Sequence, residues 1–213
     1  MTVLITGFEP FGGESVNPSW LTVHRLSGQR ILGHDIVGAC LPTAFNTSLA
    51  QLAVLIEQYR PDLVIALGQA GGRSGISLER IAINIDDARI PDNLGAQPID
   101  LPVIEGAPAA YFSSLPIKAM LKQLHAADIP AEVSNSAGTY VCNHVFYGLM
   151  HLCRFYPGMR AGFVHIPFLP EQTAEKRDMP SMALEELVHG LSIIVKTCLE
   201  TTVDIRINAG TEC

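Results

Sequence analysis

The sequence predicts an α/β protein in which helices flank both faces of an open, mainly parallel sheet, an α/β/α sandwich. Short apolar runs alternate with segments of helical periodicity along the 213 residues. The run at residues 63–68 is apolar throughout, which is typical of a strand buried on both faces. No linker, internal repeat or low-complexity segment interrupts the alternation, so we interpret residues 1–213 as a single domain.

The predicted elements follow one another in that alternating order. Strands are predicted at residues 2–6, 31–41, 63–68, 76–84, 131–134 and 161–167. A first helix is predicted to start at Pro18 with Asn17 as its N-cap, and further helices at residues 43–59, 116–126, 143–155 and 180–200. Pro and Asp recur in residues 86–109, which we interpret as a long irregular excursion of the kind that often carries function.

Composition and charge exclude several classes of protein. The net charge is −7 and there is no basic block, so a nucleic-acid partner is not expected. No apolar stretch reaches the roughly 18 residues of a membrane span, and the N-terminus reads as a strand rather than a secretion signal. The five cysteines show no CxxC pair, which favours a reducing cytoplasm. His144 and His151 lie seven residues apart without a third ligand at a telling spacing, so we expect no metal.

Three residues form a candidate catalytic set. Cys142 is predicted in the first turn of a helix, where the helix dipole and free N–H groups favour a thiolate. His165 interrupts an otherwise apolar strand end and is the candidate base, and Glu79 on another strand is the candidate that orients it. Gly7–Gly13, Gly68–Gly72, the turn before Cys142 and His165 all follow predicted strands, whose carboxyl ends form ligand sites in parallel sheets.

Each of these residues also has a purely structural explanation. A lone Cys before a helix is more often a buried hydrophobe, and a strand His before Pro is more often a hydrogen-bonded core residue. Glu79 could pair with Arg80. Two other classes of protein therefore stay open: a small-ligand-binding protein that uses Gly68–Gly72 as an anion cradle, and a phosphorylase-like enzyme in which Arg73 and Arg80 hold phosphate. Neither a GxGxxG nor a GxxxxGK[ST] pattern supports them.

Three segments together resemble the pyroglutamyl-peptidase I family of cysteine peptidases. They are Thr6-Gly7-Phe8-Glu9-Pro10-Phe11-Gly12-Gly13 with Asn17-Pro18-Ser19; Gly68-Gln69-Ala70-Gly71-Gly72-Arg73 with Leu78-Glu79-Arg80-Ile81-Ala82-Ile83-Asn84; and Ser134-Asn135-Ser136-Ala137-Gly138-Thr139-Tyr140-Val141-Cys142-Asn143 with Phe163-Val164-His165-Ile166-Pro167. The resemblance covers nearly the whole chain, and only the tail from about Val203 onward matches nothing characteristic.

The resemblance implies an enzyme that hydrolyses the N-terminal pyroglutamyl residue from peptides through a thioester acyl-enzyme. It implies Cys142 as nucleophile, His165 as general base and acid, and Glu79 as the residue that orients His165. It also implies an open α/β/α sandwich, a homotetramer and no cofactor. Arg89 is a candidate second donor to the oxyanion beside the Cys142 N–H, with a salt bridge to Asp86 or Asp87 as the alternative.

The same segments supply candidate substrate-binding residues. Phe8 and Phe11 would cover the neutral pyroglutamyl ring, unless they only anchor their loop to the core. Gln69 would match the lactam with its amide, unless it only organises the glycine loop. Tyr140 and Val141 would complete the walls. Because an unmet hydrogen bond in a buried site is costly, we expect strong preference for pyroglutamate over proline, which lacks the lactam carbonyl.

Overall fold

The computed structural model describes residues 2–174, 176 and 178–210. Its main feature is a seven-stranded sheet with the strand order β2-β3-β1-β4-β9-β5-β8, while β6 and β7 pair separately as an antiparallel ribbon. The strands are β1 Thr2–Phe8, β2 Arg30–Ile31, β3 His34–Leu41, β4 Leu63–Gln69, β5 Ile76–Glu79, β6 Ile81–Ile83, β7 Ala110–Phe112, β8 Ala131–Ser134 and β9 Arg160–Ile166.

Helices cover both faces of the sheet. They are α1 Pro18–Leu26, α2 Thr47–Tyr59, α3 Ile117–Ala126, α4 Val141–Leu152, α5 Pro170–Thr173 and α6 Leu184–Glu200, with a short 3₁₀ turn at Cys153–Phe155. Successive strand residues point to opposite faces, so Val3 and Ile5 join a core under α1, α3 and α6, and Leu4 joins a second core under α2 and α4. The predicted α/β/α sandwich is confirmed. Among the helices described, none is long and apolar enough to cross a bilayer.

The first helix begins where the sequence predicts. The Asn17 side chain accepts a hydrogen bond from the Ser19 N–H at 3.0 Å, and Pro18 occupies the first helical position. The start of α1 sits directly on the end of β1, since a Cβ at Gly7 would lie 2.6 Å from the backbone of Ser19 and Trp20. The Phe8 N–H donates to Ser19 Oγ at 2.9 Å. This close approach fixes the loop that follows β1.

Two predicted strands were wrong in their continuity. Residues 31–41 form a hairpin, because Leu32 and Gly33 both adopt positive φ (49° and 80°) between β2 and β3. Leu rarely takes that conformation, and a continuous strand was therefore predicted across it. Residues 76–84 break at Arg80 into β5 and β6, which belong to different sheets. The excursion at residues 86–109 is irregular, as predicted, apart from one bridge between Asp86 and Leu101.

The remaining predicted elements are confirmed with shifted ends. The second, fourth and fifth predicted helices start at Thr47, Val141 and Leu184 instead of at residues 43, 143 and 180. The last helix, α6, starts later than predicted because the chain before it runs beside the end of β9, with a bridge between Phe168 and Ser181. Two short elements, β7 and α5, had not been predicted, since three or four residues carry too little periodicity to be recognised.

The strand directions correct one argument made from the sequence. Strands β1, β3, β4 and β9 are parallel, but β5 runs antiparallel to β9 and parallel to β8. The turns after β1 and β4 therefore share one edge with the end of β9, as expected. The turn before Cys142 does not, because β8 runs in the opposite direction and residues 135–140 must lead the chain back to that edge.

The tail that had no recognised role ties α3 to the body of the protein. The helix begins after Pro116, which offers no side-chain cap. Asp204 replaces it, because its two carboxylate oxygens accept from the Lys118 and Ala119 N–H groups at 3.0 and 2.9 Å. Arg80 also donates to the Ala209 carbonyl at 2.7 Å. The tail thus supplies the cap that α3 lacks locally.

Candidate active site

Cys142 is the second residue of α4, directly after Val141 and the N-cap Tyr140, so its predicted place in a first helical turn is confirmed. Its sulfur lies over the backbone of β4. A Cβ at Gly68 would stand 2.8 Å from Cys142 Sγ, which leaves room for glycine only. The thiol is partly buried.

His165 and Glu79 form a buried hydrogen-bonded pair. The His165 Nδ1 lies 2.8 Å from Glu79 Oε1, and the side chains are 4% and 0% exposed. The antiparallel register sets Ser77 opposite His165, so Glu79, two residues further, emerges on the same face. Gly68 is the parallel-strand neighbour of His165. The sulfur therefore lies over the strand neighbour of His165. Because Nδ1 bonds to Glu79, Nε2 is the ring nitrogen without a hydrogen-bond partner among the described residues.

Arg73 also belongs to this cluster, although the sequence analysis had considered it only as a phosphate ligand of a phosphorylase-like enzyme. Its Nη1 donates to Glu79 Oε1 at 2.7 Å, and its Nη2 donates to the Ser136 carbonyl at 3.1 Å. The expected alternative partner, Arg80, turns away to the tail. Arg73 thus joins the Glu79 strand to the segment that leads to Cys142. An unpaired buried carboxylate is costly, and that cost was the one signal that predicted a partner for Glu79.

The charge state of the thiol differs from the prediction. Burial and, to a smaller extent, Glu79 raise the pKa of Cys142 to about 12, and Arg73 acts in the opposite direction. Burial also lowers the pKa of His165, although its hydrogen bond to Glu79 opposes this. The expected resting thiolate was therefore wrong, because desolvation of the sulfur outweighs the helix N-terminus. Both pKa shifts favour a neutral thiol and a neutral imidazole.

A small cleft opens at Cys142. It is lined by all five predicted substrate-binding residues, namely Phe8, Phe11, Gln69, Tyr140 and Val141. The nucleophile candidate Cys142, Asn17 and Thr43 complete the lining. The sequence had not singled out Thr43, and it had assigned Asn17 only to the helix cap.

The two loop aromatics differ in their packing. Phe8 is 2% exposed, and its ring centroid lies 6.4 Å from that of Phe163 in the core. Phe11 is only half-buried, and its ring lies 6.1 Å from that of Tyr140 across the cleft. Phe8 therefore does anchor the loop to the core, the alternative left open above, while it also lines the cleft. Tyr140 is fixed by a hydrogen bond from its hydroxyl to the Pro91 carbonyl at 3.1 Å.

Gln69 makes its side-chain hydrogen bond away from its own loop. Its Oε1 accepts from Gln172 Nε2 on α5 at 2.9 Å, and the residue is 8% exposed at the cleft. This bond does not organise the glycine loop, which was the alternative role considered for Gln69. Neither Gln172 nor α5 had been predicted, because a lone Gln in a four-residue helix carries no sequence signal.

Arg89 is exposed and makes no ion pair with the described Asp86 or Asp87. Its segment is nevertheless held next to the nucleophile. The Asp87 N–H donates to the Thr139 carbonyl at 2.9 Å, and Thr139 Oγ1 donates back to the Asp87 carbonyl at 2.8 Å. Arg89 therefore has no ion-pair partner among the described residues, and it lies two residues from Asp87, which is hydrogen-bonded to the chain that enters α4.

Asn143 fixes the first turn of α4 and was overlooked in the sequence. It is fully buried, and its Oδ1 accepts from the Ile83 N–H at 3.1 Å. Its Nδ2 donates to the Ile83 and Ile85 carbonyls at 2.9 and 3.0 Å. All three bonds go to the backbone at the end of β6. A buried amide must find such partners, and its position beside Cys142 was the only available signal.

His144, His151, Arg73 and Arg80, which the sequence analysis weighed as alternative ligands, have separate structural roles. His144 bonds to Asp86 and to the Asn46 N–H, whereas His151 bonds to the Tyr111 hydroxyl. No group of three or more His, Cys, Asp or Glu side chains suited to a metal occurs among the described residues. Arg73 and Arg80 have separate partners, so they do not form the phosphate site of a phosphorylase-like enzyme.

Comparison with known proteins shows the family of this chain. A sequence model of the family described as pyroglutamyl peptidase matches residues 1–201. The chain is 56% identical to pyrrolidone-carboxylate peptidase 1 of Ralstonia nicotianae and 54% identical to pyrrolidone-carboxylate peptidase of Cupriavidus taiwanensis, each over 98% of both proteins. The crystal structure of pyroglutamyl peptidase I from Bacillus amyloliquefaciens superposes with a TM-score of 0.95 at 48% identity, covering 97% of this chain and 99% of that one. This chain therefore belongs to the pyroglutamyl peptidase family.

Proposed function

We propose that this protein removes the N-terminal pyroglutamyl residue from peptides, with Cys142 as the nucleophile of a cysteine peptidase. Its family membership and its pyrrolidone-carboxylate peptidase relatives support the reaction. One structural observation supports the residues most strongly. The Cys142 sulfur lies over Gly68, next to the buried His165–Glu79 pair, at the mouth of an aromatic cleft.

The first chemical step forms the bond between Cys142 Sγ and the carbonyl carbon that joins pyroglutamate to the next residue. His165 Nε2 takes the thiol proton as the bond forms, since the thiol is protonated at rest. The carbonyl π electrons move to oxygen. The Cys142 N–H at the helix start is one donor to this oxyanion, and the Arg89 guanidinium is the other.

The second step breaks the peptide bond and then releases the product. His165 returns its proton to the departing amine, which leaves a pyroglutamyl thioester on Cys142. Water then gives a proton to His165 and attacks the thioester, and the thiol recovers its proton as pyroglutamate leaves. Glu79 holds Nδ1 throughout, so it keeps the proton on Nδ1 and stabilises the imidazolium that forms twice.

The cleft explains the choice of substrate. Its lining combines aromatic and apolar walls with neutral polar groups, and none of the lining residues is acidic. An aminopeptidase that binds a free α-amine needs an anion for it, whereas the lactam of pyroglutamate is neutral. Phe8 and Phe11 pack against the ring in this proposal, Tyr140 and Val141 complete the walls, and Gln69 hydrogen-bonds to the lactam.

Assembly and location are further parts of the proposal. We infer that the chain is one domain that works as a cytoplasmic homotetramer without a cofactor. The excursion offers surface for such contacts, because Leu94, Ile99 and Leu101 are 70%, 67% and 54% exposed. Light scattering on the purified protein would measure the mass directly; a monomer would refute the tetramer.

A chromogenic pyroglutamyl amide tests the function directly. The wild-type protein should release the chromophore in the presence of a reductant, and iodoacetamide should abolish the release. Cys142→Ala should be inactive, whereas Cys153→Ala and Cys198→Ala should retain activity. Activity that survives alkylation would refute the cysteine-peptidase assignment.

A further inference from the structure

We propose that Gln172 is a positioning residue that fixes the orientation of the Gln69 amide, so that Gln69 offers its NH₂ group, and not its oxygen, to the lactam carbonyl of the substrate. The proposal rests on the proposed function and deepens it, because it assigns the source of selectivity for the lactam. An amide and its flipped form occupy the same shape. Only the surrounding donors and acceptors decide which end faces the substrate.

The orientation of Gln172 is fixed from both ends. Its Oε1 accepts from the Leu169 N–H at 3.0 Å, and a backbone N–H can only donate. Its Nε2 lies 3.4 Å from the Val16 carbonyl and 3.2 Å from Glu14 Oε2. A carbonyl oxygen and the oxygen of an ionised carboxylate accept hydrogen bonds but cannot donate them. A flipped Gln172 would face a donor with a donor and acceptors with an acceptor.

The orientation of Gln69 follows from that of Gln172. The closest acceptor to Gln172 Nε2 is Gln69 Oε1, at 2.9 Å and buried. The Gln69 oxygen is therefore turned toward α5, and its Nε2 is the end without a partner among the described residues. Because Gln69 lines the same cleft as Cys142, this NH₂ group is a donor available to the bound ring.

A fixed donor at this point discriminates by chemistry. Pyroglutamate differs from proline in the lactam carbonyl, which accepts a hydrogen bond. A Gln69 that rotated freely would present an oxygen to that carbonyl for part of the time. The Gln172 lock removes this state, and it also joins Gln69 to the loop of Phe11, since Glu14 N–H donates to the Phe11 carbonyl at 3.2 Å and Glu14 pairs with Lys176.

Two substitutions of Gln172 test the lock with a chromogenic pyroglutamyl amide. Gln172→Met keeps the length but cannot donate, so Gln69 is released. The carboxylate of Gln172→Glu still accepts from the Leu169 N–H. Because it cannot donate, Gln69 must turn its NH₂ group toward it, which leaves the Gln69 oxygen facing the cleft. We expect kcat/KM to fall by about 10- to 100-fold, mainly through KM, and further for Gln172→Glu than for Gln172→Met. The control is Gln123→Glu on the exposed side of α3, which should leave both constants unchanged.

A double-mutant cycle separates positioning from general support of the fold. In the Gln69→Met background the amide to be oriented is gone, so the same Gln172 substitutions should change kcat/KM by less than about twofold. Full additivity, or a Gln172→Glu enzyme as active as wild type, would overturn the lock. Gln172→Glu retains the Leu169 hydrogen bond, so it remains informative if Gln172→Met does not fold. A wild-type protein inactive on the pyroglutamyl amide would instead refute the proposed function itself.

Discussion

Two buried histidine–carboxylate pairs in this protein look alike at one ring nitrogen and differ at the other. His165 bonds through Nδ1 to Glu79, and His144 bonds through Nδ1 to Asp86, each at 2.8 Å. All four side chains are at most 7% exposed. Burial and a carboxylate partner therefore do not distinguish a catalytic imidazole from a structural one.

The second nitrogen makes the distinction. His144 Nε2 accepts from the Asn46 N–H at 3.0 Å, which fixes the chain at the start of α2. Its ring is thereby used on both sides within the fold. His165 is instead the strand neighbour of Gly68, over which Cys142 Sγ lies. What distinguishes the proposed base is a ring nitrogen without a partner among the described residues, on the strand neighbour of the residue that Cys142 covers. Each experiment below breaks or sharpens this contrast.

Replacing the two histidines should give the largest difference. His165→Asn removes the proton carrier, and kcat for a pyroglutamyl amide should fall by about 10⁴-fold or more. His144→Asn should leave kcat within about tenfold of wild type and should lower the free energy of unfolding by about 1–3 kcal/mol, because it removes buried hydrogen bonds. Steady-state kinetics and urea unfolding measure the two effects. Equal loss of kcat in both variants would contradict the contrast.

The carboxylates should repeat the pattern with a smaller kinetic effect. Glu79→Gln keeps the shape but no longer holds the His165 tautomer or stabilises the imidazolium, so kcat should fall by roughly 10²- to 10⁴-fold. Asp86→Asn should affect unfolding more than kcat. The measurements are the same kinetic and urea experiments. If Asp86→Asn proved as inactive as Glu79→Gln, the Asp86 pair would also belong to the catalytic machinery.

Arg89 should contribute less to kcat than His165 or Glu79. Arg89→Ala should lower kcat by about 10²-fold with a small change in KM, since an oxyanion donor acts mainly in the transition state. Arg25→Ala, an exposed arginine on α1, is the matched control and should leave kcat unchanged. A kinetic effect confined to KM would assign Arg89 to substrate binding and not to the oxyanion.

The pH profile should show the smallest effect. Burial lowers the pKa of His165, while the hydrogen bond to Glu79 raises it. The base acts only when it is neutral. The value of kcat/KM should therefore persist below the ordinary histidine pKa of about 6.5 and fall once His165 is protonated. Glu79→Gln removes the raising contribution, so its acid limb should move to lower pH. Asp86→Asn should leave the limb in place; a shift there would contradict the assignment.

The same pKa shift predicts how stability depends on pH. His165 has a lower pKa folded than unfolded, so the unfolded chain binds more protons in the interval below pH 6.5. The contribution of His165 to stability is therefore present above that interval and is lost as the pH falls through it. Urea unfolding of wild type and His165→Asn over this range measures it, and parallel pH curves for the two proteins would contradict it.

Local rules predicted the parts of the site that depend on single elements. Asn17 and Pro18 predicted the start of α1, and the small residues before Cys142 predicted the start of α4. These features follow from caps, turns and periodicity over a few residues. The same rules placed β4 and its glycine turn, and with them the wall against which the thiol lies.

What the sequence could not predict depends on contacts between distant segments. Arg73, Asn143 and Gln172 act through partners up to 158 residues away, and no local pattern marks such pairs. The antiparallel direction of β5 places Glu79 beside His165, although the argument from parallel strand ends had not required it. The raised pKa of Cys142 likewise follows from burial in the folded state, which outweighs the local helix dipole.

The acyl-enzyme tests the central role of Cys142 most directly. The protein would be mixed with a pyroglutamyl ester, quenched in acid within the first turnover, and its intact and peptide masses measured. We predict one added pyroglutamyl group per chain, carried by the peptide that contains Cys142, and no adduct in Cys142→Ala. Rapid turnover with an unmodified Cys142, or an adduct on another residue, would contradict the proposed mechanism.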